Sequence, residues 1–235
     1  MKKKLDAFRG RLSPLQVAEG INAANSNAAR LAEDAKTLLA AGRTPTAAAI
    51  AILSIEEAGK DSILRYIAFA KSDAEANEGW KDYRSHTRKN AAWLLPQLAA
   101  AGARRLDDLR PLFESDAEHP HLLDQLKQLG FYTDCLGKAH WSLPTEIISE
   151  GLAASLVQTA QLLSRGRQCT EQEIQLWVEH MGPVWNQDLA WMKQALVNWY
   201  KAMQAAGLMP EGHNAMEQFI RGGVLADDGP NGERG

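Results

Sequence analysis

Lys81, Arg84, His86 and Lys89 lie within a single short segment, Trp80-Lys-Asp-Tyr-Arg-Ser-His86-Thr-Arg-Lys89. It joins three such cations to the one side-chain type whose ordinary pKa lies near neutrality. Arg88 adds a further positive charge and Asp82 is the only acid between Lys81 and Lys89. On a continuous helix His86, Lys89 and Trp93 share one face, with Lys81 a little over a turn earlier. A histidine among cations can move a proton while its neighbours hold negative charge, so His86, Lys81, Arg84 and Lys89 are the candidate catalytic residues.

About thirty residues earlier stands Ala47-Ala-Ala-Ile-Ala-Ile-Leu-Ser-Ile-Glu56-Glu57-Ala-Gly-Lys60. Residues 47–55 are apolar on every side except Ser54, the pattern of a core helix. Charges next to such a run are costly unless paired. Glu56 and Glu57 each lie within one turn of Lys60 and can pair with it in water. Alternatively they form a partly buried network with the His86 segment. Networks of this kind are where pKa values shift, in functional and purely structural settings alike.

These residues must be positioned by helices. At 235 residues with 45% hydrophobic content the chain is one large domain or two small ones with a sizeable core. A net charge of −3 argues against a sequence-blind nucleic-acid coat but leaves room for a local basic face. No apolar run is long enough to span a membrane. Met1-Lys-Lys-Lys4 is followed by Leu5-Asp-Ala-Phe-Arg9 rather than an apolar stretch, so no signal peptide is expected. Cys135 and Cys169 match no metal spacing and fit free thiols in a reduced cytoplasm.

Helical periodicity recurs along the chain and predicts an all-α bundle of about seven helices. Ser13-Pro14 opens the first, which Gly42 stops, with Ile21, Ala24, Ala28, Leu31, Ala35 and Leu38 on its inner face. Thr44-Pro45 opens a second to about Lys71, and a third spans roughly Ala74–Ala101, with Pro96 a possible kink. A polar connector follows, in which Arg104-Arg105 is offset by Asp107-Asp108. The fourth helix, about His121–Leu129, ends at Gly130, and Phe131-Tyr-Thr-Asp-Cys135 is extended. The fifth runs from Leu143-Pro144 to about Ser164. Thr170-Glu-Gln-Glu173 is a capping box that opens the sixth, which Gly182-Pro183 ends. The seventh has the seam Trp185, Leu189, Met192, Leu196, Trp199 and Met203, with Trp191 off it as a candidate interface anchor. Residues 222–235 read as a disordered tail.

Three blocks resemble the AbiV abortive-infection proteins. The first is Asn25…Ala28-Ala-Arg-Leu-Ala-Glu-Asp34-Ala35 with Gly42-Arg-Thr-Pro-Thr-Ala-Ala and Ile55-Glu56-Glu57-Ala-Gly59-Lys60. The second is the His86-x-x-Lys89 segment, and the third is Gly130-Phe-Tyr132-Thr-Asp134 followed by Ser142-Leu-Pro144. The resemblance covers roughly residues 20–165 in order. It implies a bacterial antiphage protein that blocks phage production, by arresting translation or targeting RNA. It also implies the HEPN superfamily of helical bundles, often dimeric, many of which cut RNA. The usual HEPN nuclease motif places an Arg four to six residues before a His. None of His86, His119, His121, His140, His180 and His213 has one, and Lys81-x4-His86 is the nearest match.

Metal-independent RNA cleavage needs a base for the 2′-hydroxyl, an acid for the leaving oxygen and cations for the phosphorane. His86 suits either proton role, and Lys81, Arg84 and Lys89 the last. No metal is expected: Glu118-His-Pro-His121 is the one Glu-x-x-His spacing and contains Pro120. No cofactor is expected either. Glu56, Glu57 and Lys60 serve a cleft or simply tie helices together; Tyr132 and Asp134 line a cleft or fix a turn. The expected organisation is a lead (1–12), an AbiV-like helical core (13–169), a C-terminal helical extension packed on it (170–221) and the tail. The expected partners are RNA or the translation machinery, a phage protein as trigger, and a second copy in a homodimer burying at least ~1,000 Å². The alternative is a non-catalytic helical protein that binds a phage or host protein.

Overall fold

The computed structural model describes residues 7–86, 89–90, 98, 101–112 and 119–222. Helix α1, Pro14–Ala40, opens with a complete capping box in which the Ser13 hydroxyl accepts the Gln16 N–H and the Gln16 side chain accepts that of Ser13. Helix α2, Thr44–Ala58, is the centre of the bundle and packs against α1, against α5 (His119–Phe131) and against α7 (Glu150–Leu163). Its alanines 47, 48, 49 and 51 are fully buried, and their small side chains let the neighbours approach closely. Ala32, Ala35, Ile52, Ile55, Leu123, Leu156 and Val157 form this core. The one hydroxyl in the apolar run, Ser54 Oγ, donates to the Ala28 carbonyl at 2.7 Å, so it enters the core satisfied.

A second core lies beside the first. Val17 and Ile21 of α1 meet Ile63, Leu64 and Ile67 of α3 (Lys60–Ile67), Ala76 and Trp80 of α4 (Asp73–Arg84), and Ile174 of α8 (Glu171–Met181). A two-stranded antiparallel hairpin, β1 (Asp134–Leu136) and β2 (His140–Ser142), follows α5, and the one-turn helix α6 (Pro144–Ile147) leads into α7. The last two helices of the described residues are α9 (Leu189–Ala205) and α10 (Ala215–Arg221), which pack on each other. No helix of the described residues is long and apolar enough to cross a membrane.

The all-α class holds, and three expected helices are cut differently. The second divides at Gly59 into α2 and α3, and there a Cβ would run into the Lys89 carbonyl oxygen, so that backbone contact needs glycine. The third stops at Arg84: Ser85 is extended (ψ 131°) and His86 sits in a turn. The fifth breaks at Ile148, where Ser149 starts a new helix by accepting the Leu152 N–H. Gly130 does not stop α5 but lies within it, where a Cβ would sit 3.0 Å from the Pro45 carbonyl oxygen. Trp185 precedes α9, and Leu189 is exposed rather than on the seam. The Pro96 kink and the tail after residue 222 lie outside the described residues.

The extension is fastened by a buried ion cluster. Thr170 Oγ1 accepts the Glu173 N–H, but the Glu173 carboxylate turns away from the cap to bind Arg65 at 2.6 Å and Arg167 at 2.7 Å. Arg65 also holds Asp61 at 2.7 Å and stacks its guanidinium over Trp177. Burial opposes the charge on Arg65, yet Asp61 and Glu173 outweigh it and hold the group above its ordinary pKa. Burial, with Glu173 nearby, pushes the Cys169 thiol up to about 11, so it stays protonated. Removing one partner of a buried pair costs about 3–5 kcal/mol. Glu173→Ala is therefore expected to lower stability by that amount in denaturant melts, and a loss under ~1 kcal/mol would show that the extension docks without this cluster.

Candidate functional site

Glu56 lies in the last turn of α2 and is 3% exposed. That end of a helix carries partial negative charge, so a buried carboxylate there needs cations. One helix and the segment after α4 supply them. Lys127 of α5, 5% exposed, places Nζ 2.5 Å from Glu56 Oε1 and 2.8 Å from Asp124 Oδ1. Lys89, 7% exposed, has Nζ 4.0 Å from Glu56 Oε2. His86 Nδ1 lies 2.9 Å from the same Oε2. The carboxylate is the acceptor, so Nδ1–H donates and Nε2 is the ring nitrogen left for proton exchange. Its side chain is 59% exposed, so the ring reaches from a buried acid to solvent.

Glu57 pairs with Lys60 at 2.5 Å, and the Lys60 ammonium lies 5.0 Å from the centre of the Tyr83 ring. Glu56 and His86 thus meet as one of the two sequence readings proposed, although not on a shared helix face. The one-face expectation for His86 and Lys89 is corrected, because the chain leaves the helix at Ser85. Both residues still reach Glu56, from a turn and from the segment whose carbonyl abuts Gly59.

The other candidates are placed elsewhere. Lys81 pairs with Glu78 at 2.6 Å on the exposed side of α4. Arg84 donates to the Phe8 carbonyl and to the Trp80 carbonyl and lies over the Trp80 ring, tying the lead to α4. Tyr132 is exposed, and the Asp134 carboxylate accepts the Cys135 N–H within the hairpin. Lys127 and Asp124 escaped the sequence reading. Their signal is the spacing Leu123, Lys127, Gly130, which puts a lysine on the buried stripe of α5.

The two lysines differ in energy. Burial disfavours the charge on Lys127, but the hydrogen bonds it donates to Asp124 and Glu56 outweigh it and raise its pKa. On Lys89 burial prevails over the attraction of Glu56, and its pKa is lowered. Among the described residues Glu56, His86 and Asp124 offer ligand atoms within 4.8 Å of one another, the one grouping of metal-ligating type. The Lys127 ammonium is hydrogen-bond close to both carboxylates. The arrangement suits proton transfer beside positive charge.

The HEPN_AbiV family model, described as AbiV, matches residues 16–165, which include Glu56, His86, Lys89 and Lys127. No curated protein and no solved structure matches the chain significantly.

The raised pKa of Lys127 means its stabilisation is complete below the ordinary lysine range and fades only as pH rises through the folded value. The lowered pKa of Lys89 has the opposite sign: its penalty is full below the folded value and is relieved as pH climbs from there toward the ordinary one. At pH 7, Lys127→Met is expected to cost about 3 kcal/mol or more, because it leaves a buried acid short of a partner. Lys89→Met is expected to leave the midpoint unchanged or raise it. Equal losses in the two urea melts would show that the lysines are interchangeable structural cations.

Proposed function

The chain belongs to the AbiV family of abortive-infection proteins, within the HEPN superfamily, and from that premise we propose that it acts on RNA through a histidine oriented by Glu56. The observation that carries this reading is the pair His86 Nδ1–Glu56 Oε2 at 2.9 Å, with the ring open to solvent. A buried carboxylate that holds Nδ1–H fixes the tautomer and aims Nε2, as in acid–base sites of other enzymes. Nε2 takes the proton of a ribose 2′-hydroxyl. The 2′-oxygen bonds to the adjacent phosphorus, the bond from phosphorus to the 5′-oxygen breaks, and that oxygen leaves with a proton from an acid. Lys89, whose pKa burial lowers, is the group suited to give it or, when charged, to neutralise the phosphorane. A cation retained at a cost in stability is a mark of function. Lys81 and Arg84 act, on this reading, only in drawing the RNA backbone near. Such cleavage arrests translation and with it phage production, in the cytoplasm. We include a homodimer in the proposal, with Trp191, 68% exposed, as an anchor.

A second reading rests on a different observation. Phe131, Tyr132, Leu136, Trp141 and Leu143 are exposed together around the hairpin. Here the protein is a non-catalytic helical partner that docks a phage or host protein there.

One preparation separates the two. His86→Ala is expected to retain the melting temperature within a few degrees, because the ring is mostly exposed, and to lose RNA decay and toxicity by 10²–10⁴-fold, the usual weight of general acid–base help (~3–5 kcal/mol). If His86→Ala is folded and fully toxic while Trp141→Ala is not, the RNA-cleaving reading fails and the docking reading stands.

A further inference from the structure

The turn after α3 and the turn after α8 meet in a cleft of about 260 Å³ that the Glu56 cluster does not use. Tyr66, Phe69 and Trp185 wall it, and Lys71, Glu75 and Asn186 rim it. Phe69 is the middle of a column of rings. It stacks on Trp177 with centroids 5.6 Å apart and planes at 22°, and it meets Trp185 at 5.0 Å. Trp185 also packs against Tyr66 at 6.1 Å. The cleft sits where the family-matched residues end their contribution and the C-terminal extension begins its own, since Tyr66 to Glu75 lie inside 16–165 and Gly182 to Asn186 outside it. Seams of this kind are common ligand sites.

We propose that this cleft binds a purine nucleotide. The wall chemistry narrows the ligand. Aromatic faces favour a flat π-ring, which extends the existing stack. A purely apolar molecule would bury Lys71, Glu75 and Asn186 against nothing. A simple cation would meet the Lys71 ammonium, and a simple anion would leave the aromatic faces of Phe69 and Trp185 uncovered. A base carrying a phosphate satisfies all of them. Glu75 Oε2 already accepts the Lys71 N–H at 2.7 Å, which fixes the carboxylate at the rim. Its other oxygen is the acceptor for the N–H edge of a base. The Asn186 amide brings a donor and an acceptor, and the Lys71 ammonium suits the phosphate. Asn186 holds its place through a left-handed backbone (φ 60°), a conformation asparagine tolerates better than most residues.

The ligand is either a free nucleotide or one nucleotide of a single-stranded RNA, and the test separates them. Calorimetric titration of the full chain uses GMP in one arm and a short single-stranded oligoribonucleotide in the other. Saturable binding in either arm is expected: GMP alone marks a free nucleotide, the oligomer alone a chain residue. Trp185→Ala is expected to weaken binding at least about fivefold, the low end of a lost base stack, while Trp185→Phe keeps it. Lys71→Ala and Glu75→Gln change exposed rim groups, so they report on the site even if Trp185→Ala unfolds; each is expected to weaken binding. In the GMP arm His86→Ala is expected to leave binding unchanged, which keeps this outcome separate from that of the RNA-cleaving reading. Absence of saturable binding in both arms overturns the proposal, as does undiminished binding by a folded Trp185→Ala together with Lys71→Ala and Glu75→Gln.

Discussion

One buried carboxylate governs how the centre of this protein is assembled. Glu56 sits where a helix is already partly negative, 3% exposed, at the end of an apolar run. Its neutralisation requires α5 to dock so that Lys127 reaches Oε1, and the segment after α4 to fold back so that His86 and Lys89 reach Oε2. That return passes so near the α2–α3 junction that only glycine fits at position 59. The alanines of α2 and the backbone contact at Gly130 bring α5 close enough for Lys127 to span the gap. Packing and electrostatics therefore specify the same arrangement.

The bundle uses the device twice, with different chemistry. Glu173 is as buried as Glu56, but its partners are Arg65 and Arg167. Guanidinium groups do not give up protons in proteins, and their fork holds geometry. That cluster is a fastener between α3 and the extension. The partners of Glu56 are two lysines and a histidine, all of which exchange protons, and one of the lysines is held below its ordinary pKa. The second cluster shows what a purely mechanical version looks like, and by contrast why the first is the functional candidate.

Much of this was legible along the chain. Helical periodicity is local, so α1 and α8 stand close to their expected bounds, and the cost of burying Glu56 pointed to a partner near His86. What misled was also local. Nothing in the spacing of residues 74–101 shows that Ser85 turns extended, because that turn is set by the contact of Lys89 with Gly59. Glu173 reads as a capping-box acid, and its first role holds for the backbone, yet its carboxylate is drawn to an arginine more than a hundred residues away. Lys127 looks like the outer half of an i,i+3 pair with Asp124, which it is, and its second bond to Glu56 appears only when α5 meets α2.

The same reasoning bears on the missing Arg-x4-6-His spacing. A motif on one helix delivers its cation to the histidine by local geometry. Here α4 ends before His86, and the residue at the nearest spacing, Lys81, is paired with Glu78 in solvent. Positive charge instead arrives from Lys89 on the returning segment and Lys127 on α5, on two sides of the carboxylate that holds the ring. The site is therefore a property of tertiary contacts. It forms only when α2, α5, His86 and Lys89 are together, so the acid–base role proposed for it is tied to the packing of the core around α2.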